Sequence, residues 1–134
     1  MLYYTDSFGA DRNAVGEALT RLLELAQQTK QAAIASNQLT NFSEGTTIAR
    51  VLEPPQYAEF NGKRAVTLNG VKVSMMTLRD TASGFRRGPV MVLHGSPEVL
   101  GKVTKDPRTT DVIYVPWAED ERDEFTPVVS QRFF

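Results

Sequence analysis

His94 is the residue most suited to acid–base chemistry, because it is the chain's only histidine. An imidazole ordinarily gains or loses a proton near neutral pH, so histidine catalysis here must use this residue. Ser96 stands two residues later, but no Gly-x-Ser-x-Gly nucleophile elbow surrounds it. His94 is therefore a candidate catalytic residue. The alternative is a half-buried histidine that only hydrogen bonds to the backbone.

The segment from Gly95 to Lys102 follows an apolar run and begins a helix, as a phosphate-binding P-loop does. The spacing excludes that motif, because five residues separate Gly95 from Gly101 and Val103 replaces the magnesium-binding hydroxyl. Ser96-Pro97-Glu98 instead has the cap, proline and acid typical of a helix start. Ser96 either caps this helix or helps its first N–H groups to bind a single anion.

Three further groups of residues suggest binding chemistry. Trp117 ends the apolar run at residues 112–117. Its side chain either stacks on a ligand ring or packs against the protein. Arg86 and Arg87, in a glycine-bearing loop, are candidates for an anion clamp, with surface solubility as the alternative. Asp120 and Glu124 would share a helix face suited to Mg²⁺, but exposed acids of a first turn are usually only solvated. No metal site is predicted.

A strand, a helix and a second strand between Gly88 and Trp117 must position these residues. Residues 89–94 and 111–116 are almost unbroken apolar runs, and Val99, Leu100 and Val103 between them have helical spacing. Strands that are apolar on both faces belong in the middle of a parallel sheet covered by helices. We therefore expect two parallel strands whose carboxyl ends meet at one edge of the sheet.

The remaining pattern predicts four more strands, at residues 1–5, 31–36, 64–68 and 71–78. Asp11 caps a predicted helix over 12–30, and residues 31–36 either form a strand or prolong that helix. A second helix is expected from Asn41, with Glu44 completing its capping box, until Pro54-Pro55 stops it. Asn61-Gly62 and Asn69-Gly70 both predict hairpin turns.

These elements predict one α/β domain over residues 1–134. Its architecture would be a three-layer α/β/α arrangement around a mixed, mostly parallel twisted sheet, Rossmann-like or flavodoxin-like, with a β-hairpin insertion. The first loop differs from a flavodoxin phosphate loop, since Asp6 and Asp11 oppose an anion, and the sequence leaves the cofactor unknown. Several residues that follow strands should converge at one edge: Asp6, Ser7, Asn37, Asn41, His94, Ser96 and Trp117.

Composition narrows the class of protein. The 134 residues are 41% hydrophobic and 23% charged, which is typical of a globular domain. Fifteen basic and sixteen acidic residues give a net charge of −1, which argues against nucleic-acid binding through Lys63, Arg64, Arg86 and Arg87. The absence of cysteine excludes thiol catalysis and disulfides. The sequence shows neither a membrane span nor a signal peptide, so a cytoplasmic protein is expected.

Two functions fit these observations. The first is a small-molecule pocket at the carboxyl edge of the sheet, for an anionic or nucleotide-like ligand, with or without catalysis. The second is a non-catalytic interaction module that forms a homo-oligomer. The Asn69-Gly70 hairpin would supply an open sheet edge, and Phe133-Phe134 would supply an apolar patch.

Overall fold

A computed structural model of the protein describes residues 2–7, 9, 11–43, 45–118, 120–121, 123 and 131–132. Its strands are β1 Leu2–Tyr4, β2 Gln31–Ala35, β3 Ala65–Leu68, β4 Val71–Met76, β5 Gly88–Leu93, β6 Thr109–Val115 and β7 Gln131–Arg132. Its helices are α1 Arg12–Leu25, α2 Thr47–Val51, α3 Pro54–Lys63 and α4 Pro97–Lys105, with a 3₁₀ helix at Leu39–Phe42.

The described strands form one seven-stranded sheet in the order β3-β4-β2-β5-β6-β1-β7. Every neighbouring pair is parallel except β3 and β4, which are antiparallel and joined through Asn69-Gly70. Both hairpin residues have positive φ, 50° at Asn69 and 78° at Gly70, as a type I′ turn requires. The predicted α/β fold with a mixed, mostly parallel sheet is thus confirmed.

Each face of the sheet carries its own apolar cluster, because successive side chains of a strand point to opposite faces. Ile34 packs with residues of α1, α2 and α3, whereas Ala33 and Ala35 pack with α4 and residues of the loop between β4 and β5. Strand β5 is buried at every position, which explains its unbroken apolar sequence. The alternative that residues 31–36 prolong the first helix is excluded, since β2 pairs with both β4 and β5.

Two helices differ from their predicted extent. Helix α1 begins after the Asp11 cap as expected but ends at Leu25, not at residue 30. The helix expected from Asn41 to Pro54 is instead the 3₁₀ helix followed by the five-residue α2. The glycine and threonines of this segment are poor helix formers, so no long helix is stabilised. Glu44, its expected capping partner, lies outside the described residues.

The prolines Pro54 and Pro55 begin a helix instead of ending one. They occupy the first turn of α3, where a proline lacks only an N–H that has no helical partner anyway. Asn61-Gly62 therefore lies inside α3 and forms no hairpin turn, contrary to the prediction. The helix ends at Arg64, which adopts the left-handed conformation at φ 57°.

The connections leave β2 and β5 in opposite directions along the sheet. The chain passes from β2 towards β4 and β3, but from β5 towards β6, although β2 and β5 are neighbours. Where the direction reverses in this way, the loops separate and leave a crevice outside the carboxyl ends of the strands. This crevice lies between the loop after Ala35 and the loop after Leu93.

Candidate functional site

His94 is the first residue beyond β5 and lies at the carboxyl edge, as predicted. Its backbone N–H donates to the carbonyl oxygen of Val115 at 2.8 Å, which continues the pairing of β5 with β6. Its φ is 52°, a left-handed conformation that costs a non-glycine residue about 1 kcal/mol or more. This backbone turn directs the chain from the strand towards α4 and breaks the alternation of side chains along β5.

The imidazole of His94 is neutral at physiological pH. Burial lowers its pKa from 6.5 to about 4, and a hydrogen bond to the backbone of Gly9 opposes this shift only in part. Its Nε2 is buried and has no hydrogen-bond partner among the described residues. A buried nitrogen without a partner is destabilising by roughly 1–3 kcal/mol. The ring therefore carries a buried nitrogen without a described partner and no positive charge.

Trp117 contacts this imidazole edge-on. The two ring centroids are 4.9 Å apart with an interplanar angle of 66°, while 53% of Trp117 remains exposed. Its carbonyl oxygen accepts a hydrogen bond from the Gly9 N–H at 2.6 Å, which ties the β6 exit to the loop after β1. The indole is thus held in place on one side and open to a ligand on the other.

Ser96 does not cap α4 through its side chain, although it occupies the cap position. Its Oγ is buried without a partner among the described residues. Its backbone N–H donates instead to Oδ1 of Asn37 at 2.8 Å, across the crevice between β5 and β2. With Pro97 lacking an N–H and Glu98 adding a negative charge, the start of α4 is a poor anion site.

Two clefts lie side by side along the carboxyl edge. The one over β5 and β6, here the neutral cleft, encloses about 340 Å³ and is lined by Thr40, Asn41, Gly45, Thr46, Thr47, His94 and Trp117. The one over β2 and β4, here the charged cleft, encloses about 760 Å³ and is lined by Asn37, Gln38, Leu39, Thr40, Arg64, Thr77, Leu78, Arg79 and Asp80. Thr40 lines both, so the two clefts are adjacent.

The charged cleft carries a net positive charge. Asp80 accepts hydrogen bonds from Arg64 at 3.2 Å through Oδ2 and from the Ala82 N–H at 3.0 Å through Oδ1. Each carboxylate oxygen therefore accepts at least one hydrogen bond, and the charge of Asp80 is paired with Arg64. The exposed Arg79 has no ion-pair or hydrogen-bond partner in the part of the chain that the structure describes. Arg79 is accordingly a cation available to a ligand.

The other residues predicted from the sequence are Asn41, the pair Asp6 and Ser7, and the pair Arg86 and Arg87. Asn41 lines the neutral cleft, where its Oδ1 also accepts the Gln38 N–H at 3.1 Å. Ser7 is buried and hydrogen bonded to Thr5 at 2.8 Å, and Asp6 is exposed. Neither lines either cleft.

Arg86 and Arg87 lie at the amino edge of the sheet, because Gly88 begins β5 and the Arg86 N–H donates to the Gln31 side chain at the start of β2. About 20 Å of strand, at ~3.3 Å per residue, separates that edge from His94.

The sequence reasoning missed the hydroxyls of residues 40–47 and the cation Arg79. Thr40, Thr46 and Thr47 follow β2 by several residues, and only the fold brings that loop beside His94. Ser36 was also missed. It is fully buried, and its Oγ has no partner among the described residues. Its place directly after a strand was the available signal.

The described residues contain no group of three or more potential metal ligands from His, Cys, Asp and Glu. The cluster around Asp120 and Glu124 falls partly outside them, because Glu119, Arg122 and Glu124 are not described. Within the same part of the chain, none of the helices has the length and hydropathy needed to cross a membrane.

The fold and the two clefts define an α/β protein with a crevice at the carboxyl edge of its sheet. Comparison with protein-family models, with curated proteins and with solved structures finds no match to this chain.

Proposed function

We propose that this protein binds a small molecule at the carboxyl edge of its sheet, with the ligand seated in the neutral cleft. The observation that carries the proposal is the His94 Nε2, buried without a described partner in the wall of a cleft whose other wall is the half-exposed Trp117. The position beside the reversal of strand connections supports it, as does a volume within the ~300–1,000 Å³ typical of ligand pockets.

The lining of the neutral cleft favours an uncharged ring with hydrogen-bonding groups. Three threonines and Asn41 supply hydroxyl and amide groups, and none of its described lining residues is charged at neutral pH. The exposed indole face of Trp117 offers stacking to a planar or sugar ring. A Rossmann-like, three-layer arrangement of this chain is part of the proposal, and the apolar clusters on both faces of the sheet support it.

The role we assign to His94 is hydrogen bonding to the ligand instead of proton abstraction. A general base works best with a pKa near the working pH, whereas the pKa of His94 is lowered to about 4. No described hydrogen bond joins it to Ser96, so a serine–histidine pair is not supported.

Trp117 gives a direct test, because it is the chain's only tryptophan. Its fluorescence reports on the neutral cleft alone. A metabolite screen should yield compounds that shift this emission, shield the indole from acrylamide and raise the melting temperature. Trp117→Ala should lose most of the affinity in calorimetry, by about tenfold or more, while Trp117→Phe should retain part of it. A screen in which no compound perturbs Trp117 would refute the proposal.

A second candidate function is self-association through β3. This strand is the edge of the sheet, and its outer backbone groups have no strand partner among the described residues. Light scattering tests it. A dimer that Thr67→Pro converts to monomer would support assembly through β3, and a wild-type monomer at high concentration would exclude it. Phe133-Phe134, the other proposed contact, lies outside the described residues.

A further inference from the structure

The two clefts at the carboxyl edge, together called the groove below, differ in chemistry. Its neutral cleft lies over β5 and β6, and its charged cleft lies over β2 and β4, with Thr40 shared between them. In the sheet these strands are consecutive, in the order β4-β2-β5-β6. The two ends are therefore about three strand spacings apart, roughly 14 Å. A single ring cannot contact both ends, but an extended molecule can.

Charge differs between the two ends. Among the residues that the structure describes, the lining at the Trp117 end is uncharged, whereas the other end has Arg64 and Arg79 against one carboxylate, Asp80. Because the single charge of Asp80 is paired with Arg64, the charge of Arg79 remains uncompensated. The charged cleft is also continued by a smaller one, lined partly by Lys63 and Lys72, which adds positive charge nearby. An anion is favoured at this end of the groove, although the whole chain carries a net charge of −1.

We infer that the ligand of this groove is a nucleoside phosphate, with its ring system against Trp117 and its phosphate at Arg79. The base offers a planar face to the indole, and the ribose and base edges match the hydroxyls of the neutral cleft. A guanidinium binds phosphate through paired N–H donors, which gives Arg79 the geometry for this role. This inference rests on the proposed function, since it identifies the ligand of the same site.

The test measures the four common ribonucleosides and their 5′-monophosphates by Trp117 fluorescence and calorimetry. At least one monophosphate should bind about tenfold tighter than its nucleoside, which is the effect of one charged hydrogen-bonded contact. Arg79→Gln should remove this difference and leave the nucleoside affinity unchanged. Arg87→Gln is the matched control, because Arg87 is an exposed arginine beside the opposite edge of the sheet, and it should preserve the difference.

A second variant tests the sign of the charge effect. Asp80→Asn removes the one carboxylate among the described residues that line the charged cleft, so monophosphate affinity should rise several-fold while nucleoside affinity stays constant. Added salt should weaken only the monophosphates.

Equal binding of nucleosides and monophosphates, or a phosphate gain that survives Arg79→Gln, would overturn the inference and leave the proposed function standing. If no nucleoside or nucleotide perturbs Trp117, the inference is wrong, and the metabolite screen decides the proposed function separately.

Discussion

The partly buried His94 combines a strained backbone with a side chain that resists protonation. Its left-handed φ of 52° places the ring beside Trp117 and the loop that carries Gly9. A charged imidazole would be desolvated in this position without a carboxylate to pair with it among its described contacts. Protonation of His94 therefore lowers the stability of the folded protein.

The stability of the protein should fall as the pH is lowered from about 6.5 to about 4. The pKa of His94 is lowered to about 4 in the folded state, against 6.5 when unfolded, so only the unfolded chain gains this proton within that window. The full difference corresponds to about 3 kcal/mol. Urea unfolding near pH 7 and near pH 4.5 measures it, and His94→Asn is the comparison, since asparagine tolerates a positive φ.

The pH dependence that belongs to His94 is the difference between wild type and His94→Asn, because the carboxylates titrate in both. This difference should be nearly constant near pH 7, and the wild type should then lose stability relative to His94→Asn as the solution becomes more acidic. Parallel curves for the two proteins across that range would contradict the assignment of a buried neutral imidazole.

Two glycines should respond oppositely to alanine. A Cβ at Gly88 would overlap the carbonyl oxygen of Gln31, whereas a Cβ at Gly101 in α4 would meet no atom within 4 Å. Gly88→Ala should therefore destabilise the protein by about 2 kcal/mol, because backbone must move. Gly101→Ala should stabilise it by roughly 0.5–1 kcal/mol through helix propensity. Denaturant unfolding measures both, and a Gly88→Ala protein as stable as wild type would contradict the packing described.

At the scale of elements, Arg108 fixes the loop between β4 and β5. Its guanidinium donates to the carbonyl oxygens of Thr81, Ala82 and Phe85, and lies 5.3 Å from the Phe85 ring centroid. It also donates to Asp106, with a closest contact of 2.6 Å, and this hydrogen bond lowers the pKa of Asp106. The same loop carries Arg79, so the hydrogen bonds of Arg108 fix the shape of the segment that contains Arg79.

Arg108→Ala should destabilise the protein by about 2 kcal/mol and increase hydrogen exchange in residues 78–87. The reason is that several carbonyl groups lose their donors at once. Arg108→Lys should show most of the same loss, because an ammonium cannot reproduce the planar set of donors. Arg87→Ala, whose exposed side chain makes no such contacts among the described residues, is the control. Equal exchange in all of these proteins would disprove this role.

The elements that the sequence predicted well have strong periodic patterns. Helix α1 has one apolar stripe and an aspartate cap, and β5 and β6 have continuous apolar runs, so local physics determines them. Helix α3 was not predicted, because locally its Pro-Pro start resembles a helix stop and its Asn-Gly dipeptide resembles a hairpin turn. In that helix, packing of the fully buried Phe60 outweighs the intrinsic preference of Asn61-Gly62 for a turn.

Across the whole molecule, strand order explains which site residues could be predicted. His94, Asn37 and Trp117 follow parallel strands, so the common direction of those strands was enough to place them at one edge. The contribution of residues 40–47 and of Arg79 depends on where β2 and β4 lie relative to β5. The sequence contains no local signal of strand order. Arg86 and Arg87 differ, because they precede β5 and the direction of that strand alone places them at the edge opposite His94.

The sheet should be most protected at its centre. Strands β2 and β5 each have a strand on both sides, and Ile34 and Met91 within them are almost fully buried. Native-state hydrogen exchange should therefore be slowest in these two strands and fastest in the edge strand β3. Amides of β3 that exchange as slowly as those of β5 would show that another chain or segment covers this edge.

The hydrogen bond from the Ser96 N–H to Oδ1 of Asn37 also limits how a ligand can approach the molecule. It joins the two loops on either side of the reversal point and closes the gap between them at 2.8 Å. For the small molecule proposed above, this bridge would form the floor of the crevice between β2 and β5. Breaking it should deepen the crevice and admit larger compounds than the intact bridge allows.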